Sequence, residues 1–205
     1  MNASQFSLGL AWLTAVVLGS GVLLVYDYSP GMDRAVPKIW PAQTQIPRAN
    51  NLPALVLFAH PKCPCTRASI GELATLMARC QGKVNAQVIF VRPKGTKESW
   101  TRTDLWQTAR SIPGVKVFSD EEAVEARRFN ASTSGHVVLY DPQGHLMFSG
   151  GITAARGHAG DNVGRFAVTE LLHRRTAAHG ATPVFGCSLR ASRAQCSAED
   201  ALCQH

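Results

Sequence analysis

Ala54-Leu-Val-Leu-Phe-Ala59, running into His60-Pro-Lys-Cys63-Pro-Cys65-Thr66, is the stretch on which the fold turns. An unbroken apolar run of this length lacks the alternation of a half-exposed strand and reads as a central strand covered on both faces. It gives way to a loop holding two cysteines, after which Thr66 is suited to cap a helix. Ile70, Leu73, Leu76 and Met77 recur on one face of that helix at helical spacing, so it packs back on the sheet.

Working outward, residues 84–91 form a second apolar strand closed by Arg92-Pro93. Residues 103–110 suggest a short helix, 115–118 a short strand and 121–129 a charged helix. Residues 136–140 and 146–148 flank Asp141-Pro-Gln-Gly144, a turn composition expected between hairpin strands. Asp161 or Asn162 caps a last helix reaching about residue 178, with Phe166, Val168, Leu171 and Leu172 as its apolar residues. The order is β-α-β, an inserted α-β, then α-β-β-α. This predicts an α/β fold whose first two strands are parallel, joined by a right-handed crossover. No repeat of 20–50 residues is visible.

This order, with a cysteine loop at the carboxyl end of the first strand, resembles the thioredoxin fold. The inserted helix and strand are similar to those of the peroxiredoxins and the membrane-tethered TlpA and Sco groups. Three segments together resemble the RedB-like proteins: Phe-Ala-His-Pro-Lys-Cys-Pro-Cys-Thr66, Thr-Ser-Gly-His-Val-Val-Leu-Tyr-Asp141 and Ser-Gly-Gly-Ile-Thr-Ala-Ala-Arg-Gly-His-Ala-Gly-Asp-Asn162. The resemblance covers roughly residues 52–180.

It implies a central mixed sheet flanked by helices and thiol–disulfide exchange as the activity. Cys63 falls where such proteins hold the nucleophile, at a helix N-terminus whose free N–H groups and dipole stabilise a thiolate. The usual resolving position holds Thr66 instead, and the second cysteine comes one residue early, at Cys65. The preferred mechanism has Cys63 attacking a partner's disulfide and Cys65 resolving the mixed disulfide through a small, strained and hence oxidising ring. Alternatively Cys65 is inert and Cys63 resolves through Cys80 or Cys187. His60 is a candidate base or hydrogen-bond partner for the thiolate. Where the family carries a substrate-facing cis-proline, this chain has Ser132-Thr-Ser-Gly-His136, with Gly135 or Ser134 in that place.

Strand directions bring the loop of residues 150–162 to the same sheet edge as Cys63. Its glycines allow close backbone approach to an anion or thiolate. Arg156, His158 and Asp161 are therefore candidate supporting residues. The loop is not a GxGxxG, and a dinucleotide is not expected. No resident cofactor is expected in the preferred reading. The competing one is a copper chaperone similar to Sco, with Cys63, Cys65 and His158 as ligands; His60 and His136 are further donors for Cu(I) or Zn(II). A non-catalytic binding module is the third possibility.

Residues 8–26 carry no charge and are long enough, at about 1.5 Å per residue, to cross a bilayer. Trp12, Tyr26 and Tyr28 suit the interfaces. Residues 1–27 are thus expected to be a transmembrane anchor, 28–51 a proline-containing stalk, 52–180 the thioredoxin-like domain and 181–205 a cysteine-containing tail. Arg34 and Lys38 follow the apolar run with no Lys or Arg before it, which taken alone keeps the domain cytoplasmic. Six cysteines argue for the other side, extracytoplasmic and periplasmic in a bacterium, because extra thiols persist outside a reducing cytosol. In the tail, Thr182-Pro-Val-Phe-Gly-Cys187 is apolar enough to pack back onto the domain.

The chain has 205 residues, 45% hydrophobic and 17% charged, enough apolar content for one core and against disorder. Its net charge of +7 comes without a Lys/Arg run longer than two, so no nucleic-acid partner is expected. The expected partners are protein thiols or disulfides, and a membrane through the N-terminal helix.

Overall fold

The computed structural model describes residues 3–32 and 34–189. Cys196 and Cys203, whose pairing the sequence leaves open, lie outside the described residues. The elements are α1 (Ala3–Asp27), β1 (Ala54–Ala59), α2 (Pro64–Arg79), β2 (Asn85–Arg92), α3 (Asp104–Ser111), β3 (Val115–Glu121), α4 (Val124–Arg128), β4 (His136–Tyr140), β5 (Leu146–Gly151) and α5 (Val163–Arg174), with a 3-10 turn at Glu98–Trp100. They build one five-stranded sheet in the order β3-β2-β1-β4-β5. β1, β2 and β3 are parallel, while β4 runs antiparallel to both β1 and β5.

The apolar run therefore sits at the centre, and every residue of β1 is buried. Leu55, Leu57 and Ala59 face a core completed by α2, α3 and α5. Val56 and Phe58 face a second core with Ile89, Val138, Tyr140 and Phe129. The mixed sheet between helices is the thioredoxin-like arrangement expected from the strand order.

The second face is covered in a way the sequence does not suggest. α4 is only five residues long, too short to cover it. The segment expected to be an extended stalk supplies the rest. Ile46 is buried there, and Val36 and Trp40 pack against the same cluster. Trp40 meets Phe129 and Tyr140 edge-on, with centroids 5.0 and 5.1 Å apart. Tyr140 donates its hydroxyl hydrogen to Pro37 O at 2.7 Å, and Leu146 N donates to Lys38 O at 2.9 Å. Residues 181–189 of the expected tail pack back too, burying Val184 and Leu189.

Several element ends differ from the sequence expectation for local reasons. α2 begins at Pro64 with Cys63 as its N-cap, so Thr66 lies inside the first turn and is not the cap. Proline at the first helical position needs no N–H partner there. α4 starts late because Glu122 and Ala123 take left-handed φ values of 55° and 54°. The Asp120 carboxylate then receives the Glu125 and Ala126 N–H groups. α5 ends at Arg174, closed by a left-handed Arg175, rather than near residue 178. Of its two candidate caps, Asn162 serves, accepting from Arg165 N at 2.7 Å.

α1 leaves its apolar side chains uncovered by the domain, Leu8 and Leu23 among them. Residues Ser7–Asp27 have a mean hydropathy of 2.2, a length and composition that suit a membrane span or a signal sequence.

Candidate thiol site

Cys63 caps α2 from an extended conformation, φ −90° and ψ 122°, and the N–H groups of Cys65 and Thr66 in the first turn act on its sulfur. The loop before it is pinned by a small hydroxyl network. The Thr66 hydroxyl donates to His60 O at 3.1 Å and pairs with Ser134 Oγ at 2.7 Å. Ser134 Oγ in turn accepts from His60 N at 2.8 Å. Thr66, at the usual resolving position, thus fastens the cysteine loop to residues 132–135.

Gly135, where the sequence resemblance places a proline, has φ of +91° and donates N–H to Phe58 O at 2.8 Å. Proline is locked near −65° and cannot take that conformation. A side chain there would also meet Ser69 Oγ, 2.7 Å from an ideal Cβ.

The sulfur nearest Cys63 is that of Cys187, 2.7 Å away and from the far end of the described chain. Both are free thiols. This separation is inside ordinary sulfur contact and longer than the roughly 2.05 Å of a disulfide. Cys65 completes the group: the three Sγ atoms all lie within 4.8 Å of one another. Cys80 is buried at the far end of α2 as its C-cap, apart from this group.

The three thiols differ in acidity. The Cys187 thiol donating to Cys63, joined by N–H groups of Cys187, Thr66 and Cys65, holds Cys63 down to about 4 against the opposing effect of burial. Cys187 is pushed up by that same hydrogen bond and by burial. Burial and the charge on Cys63 push Cys65 up, with Arg156 and the Gly157 N–H pulling the other way. The arrangement favours negative charge on Cys63 over charge on Cys65 or Cys187.

The loop of residues 150–162 does reach this edge, as strand direction requires. Arg156 donates from Nη1 to Gly186 O at 2.6 Å and from Nε to Tyr26 O at 3.1 Å. Its guanidinium lies 4.8 Å over the Tyr26 ring. It therefore joins the end of α1 to the segment carrying Cys187. The loop's other end is anchored by Glu72, a buried carboxylate on α2. Glu72 accepts from Gly160 N, Asn162 Nδ2 and Arg165 Nη1.

The remaining candidates stand apart from the sulfurs. His158 Nδ1 lies 3.0 Å from Arg156 O, so that nitrogen carries the hydrogen. His158 is not in the three-thiol group, and Cys187 takes the third place the sequence offered it. Asp161 is exposed and pairs with Arg165. His136 is buried in β4 against Ser149 Oγ. His60 accepts the Lys62 N–H on Nδ1 at 3.2 Å and stacks edge-on to Trp100 at 5.6 Å. Burial lowers the His60 pKa, a neighbouring Cys63 charge raises it and Lys62 lowers it. It is a neutral neighbour of the thiolate rather than its hydrogen-bond partner.

Sequence reasoning missed the Thr66–Ser134 link and the Glu72–Arg165 pair, for which local pattern carries no signal. Cys187 was one of the two alternative resolving thiols the sequence offered, in a segment whose Val184 and Phe185 are apolar enough to pack.

No protein-family model matches the sequence, and no curated protein matches it. Among solved structures, the chain resembles an uncharacterized conserved protein from Geobacillus kaustophilus at 15% identity and TM-score 0.56, over 81% of this chain and 94% of that one. It also resembles a hypothetical protein from Sinorhizobium meliloti at 19% identity and TM-score 0.52, over 70% of this chain and 82% of that one. A secreted Mycobacterium tuberculosis disulfide oxidoreductase homologous to E. coli DsbE matches at 16% identity and TM-score 0.43, over 60% of this chain and 81% of that one. With β1, β2 and β3 parallel, a β4–β5 hairpin and a cysteine capping the helix after the central strand, the chain is thioredoxin-like in fold.

Proposed function

We propose that this chain is a thiol–disulfide oxidoreductase in which Cys63 is the nucleophile and Cys187 the resolving cysteine. The 2.7 Å approach of their sulfurs carries the reading. The Cys63 thiolate attacks a partner's disulfide; one partner sulfur leaves as a thiolate and takes up a proton, while the other is held in a mixed disulfide. Cys187, having lost its proton, then attacks Cys63 and frees the second partner thiol. One disulfide is consumed in the partner and one is formed between Cys63 and Cys187. The reverse sequence donates a disulfide.

Cys65 is the less favoured resolving group. It lies two residues from Cys63 inside the first turn of α2, where closing so small a ring works against helix geometry. The depressed acidity of Cys63 suits attack at neutral pH. The uncovered apolar face of α1 supports tethering to a membrane, with the domain on the extracytoplasmic side where disulfide chemistry persists.

The test is trapping. Cys187→Ser should accumulate a mixed disulfide between Cys63 and a disulfide substrate, and Cys65→Ser should turn over. Accumulation in Cys65→Ser alone assigns resolution to Cys65 instead, and no electron transfer by the wild-type chain sinks the reading.

The three-thiol group supports a second reading. Thiolates are soft donors that select Cu(I), and Cys63, Cys65 and Cys187 together offer a three-sulfur set, without His158. Stoichiometric Cu(I) binding by the reduced chain, lost in Cys63→Ala, is the result this reading requires.

A further inference from the structure

Cys63 is only 2% exposed, so a nucleophile set for attack is closed off from any macromolecular partner. Residues 187–189 run antiparallel beside residues 132–134, outside the five-stranded sheet. Thr133 and Ser188 form an antiparallel bridge. Ser134 N donates to Cys187 O at 2.8 Å and Leu189 N to Ser132 O at 2.9 Å. The arm is held by this short ladder, by burial of Leu189 and by the Arg156 bond to Gly186 O. The other walls, α2 and the cysteine loop, belong to the main core and the hydroxyl network. Cys187 adds its sulfur contact with Cys63, and Leu189 sits at the margin of the second core. The arm itself belongs to no named helix or strand.

We propose that residues 185–189 are a built-in occupant of the strand edge at residues 132–134, clasped by Arg156, and that a partner reaches Cys63 by displacing them. This rests on the redox reading of Cys63 and adds the partner's chemistry. The partner is an extended polypeptide that pairs with the same backbone groups and carries its own reactive cysteine where Cys187 sits. The residue before that cysteine must be glycine. At Gly186 an added Cβ would stand 1.9 Å from Ser134 O, a clash with backbone that no rotamer relieves.

The arm is tested on the full, reduced chain by iodoacetamide alkylation, with Cys63 followed by peptide mapping. Rates are taken at the high-pH plateau, where a change in thiol acidity no longer matters. Gly186→Ala should unseat the arm and raise the Cys63 plateau rate at least about tenfold, the order expected from losing a few backbone hydrogen bonds. Cys187→Ser keeps the backbone ladder and should leave the plateau within about threefold while moving the pH midpoint. Cys80, buried in the core, should stay protected in each case and so reports on the fold. If Gly186→Ala exposes Cys80, Arg156→Gln, which releases the clasp without touching Ser134, decides the point. Equal plateau rates in the wild-type chain and in the variant that keeps Cys80 protected overturn the proposal.

Partner class is tested with the peptide Val-Phe-Gly-Cys-Ser-Leu, its cysteine joined in a disulfide to thionitrobenzoate. Attack by Cys63 on the peptide sulfur breaks that bond, releases the coloured thionitrobenzoate thiolate and leaves peptide bonded to Cys63. The Gly186→Ala chain should react faster than wild type, and a peptide with valine in place of glycine at least about tenfold slower. Equal rates for the two peptides overturn the stated partner class. Failure of Cys187→Ser to trap an adduct would overturn the resolving role of Cys187 and leave the alkylation result standing.

Discussion

Cys63 Sγ and Cys187 Sγ meet at 2.7 Å although 124 positions separate them in the chain. The meeting gives Cys63 a hydrogen-bond donor on a sulfur that already faces helix N–H groups. It also makes the acidity of the nucleophile a property of the tertiary structure, with consequences that can be measured.

With Cys63 lowered to about 4, its alkylation rate should stay flat from about pH 8 down to pH 5 and fall only as the thiolate is protonated below that. Cys187→Ala removes the largest cause of the shift. Its midpoint should move up toward the ordinary thiol value of about 8.5. At pH 6 the variant should then react more slowly than wild type, and the two should converge at alkaline pH. A Cys187→Ala profile that overlays the wild-type curve contradicts this origin for the acidity.

Glu72 and Arg165 form a buried ion pair at 2.7 Å, with side chains 4% and 9% exposed. Glu72→Ala removes the buried partner of Arg165, leaving it the exposed Asp161, frees the loop that carries Arg156, and should cost about 3 kcal/mol in urea denaturation. Asp161 meets the same arginine from solvent. Asp161→Asn should cost less than about 1 kcal/mol. Equal losses in the two variants would mean that burial does not set the difference.

Trp40 lies in a segment whose prolines suggest a spacer, yet its ring closes the second core against Phe129 and Tyr140. Trp40→Ala should destabilise the chain by about 3–4 kcal/mol. Unchanged thermal unfolding would show that residues 36–46 are dispensable to the fold.

Thr66→Val removes the hydroxyl that bonds His60 O and Ser134 Oγ. A loss of about 1–2 kcal/mol is expected from the unpaired buried groups it leaves. The cysteine loop should loosen as well, raising the alkylation rate of Cys63 at its high-pH plateau. Both effects absent would remove Thr66 from the network.

What the sequence by itself determined is what short-range pattern encodes. The unbroken apolar run of β1 required a central strand, the periodicity of Ile70, Leu73, Leu76 and Met77 required a helix after the cysteine loop, and Asp141-Pro-Gln-Gly144 required a hairpin. Strand direction alone was enough to bring residues 150–162 to the thiol edge. Tertiary structure decided the rest. Trp40 reads as part of a spacer because its partners, Phe129 and Tyr140, lie about a hundred residues away along the chain. Cys187 stands level with Cys80 as an alternative partner for Cys63 until Thr133–Ser188 pairing sets its sulfur against that of Cys63. Glu72 is one polar residue on an amphipathic helix until Arg165 arrives from α5. Periodicity records which face of an element is apolar, because that face is set within a few residues. Which distant segment covers that face, and which thiol meets the nucleophile, depends on side-chain fit and hydrogen bonding across the folded chain.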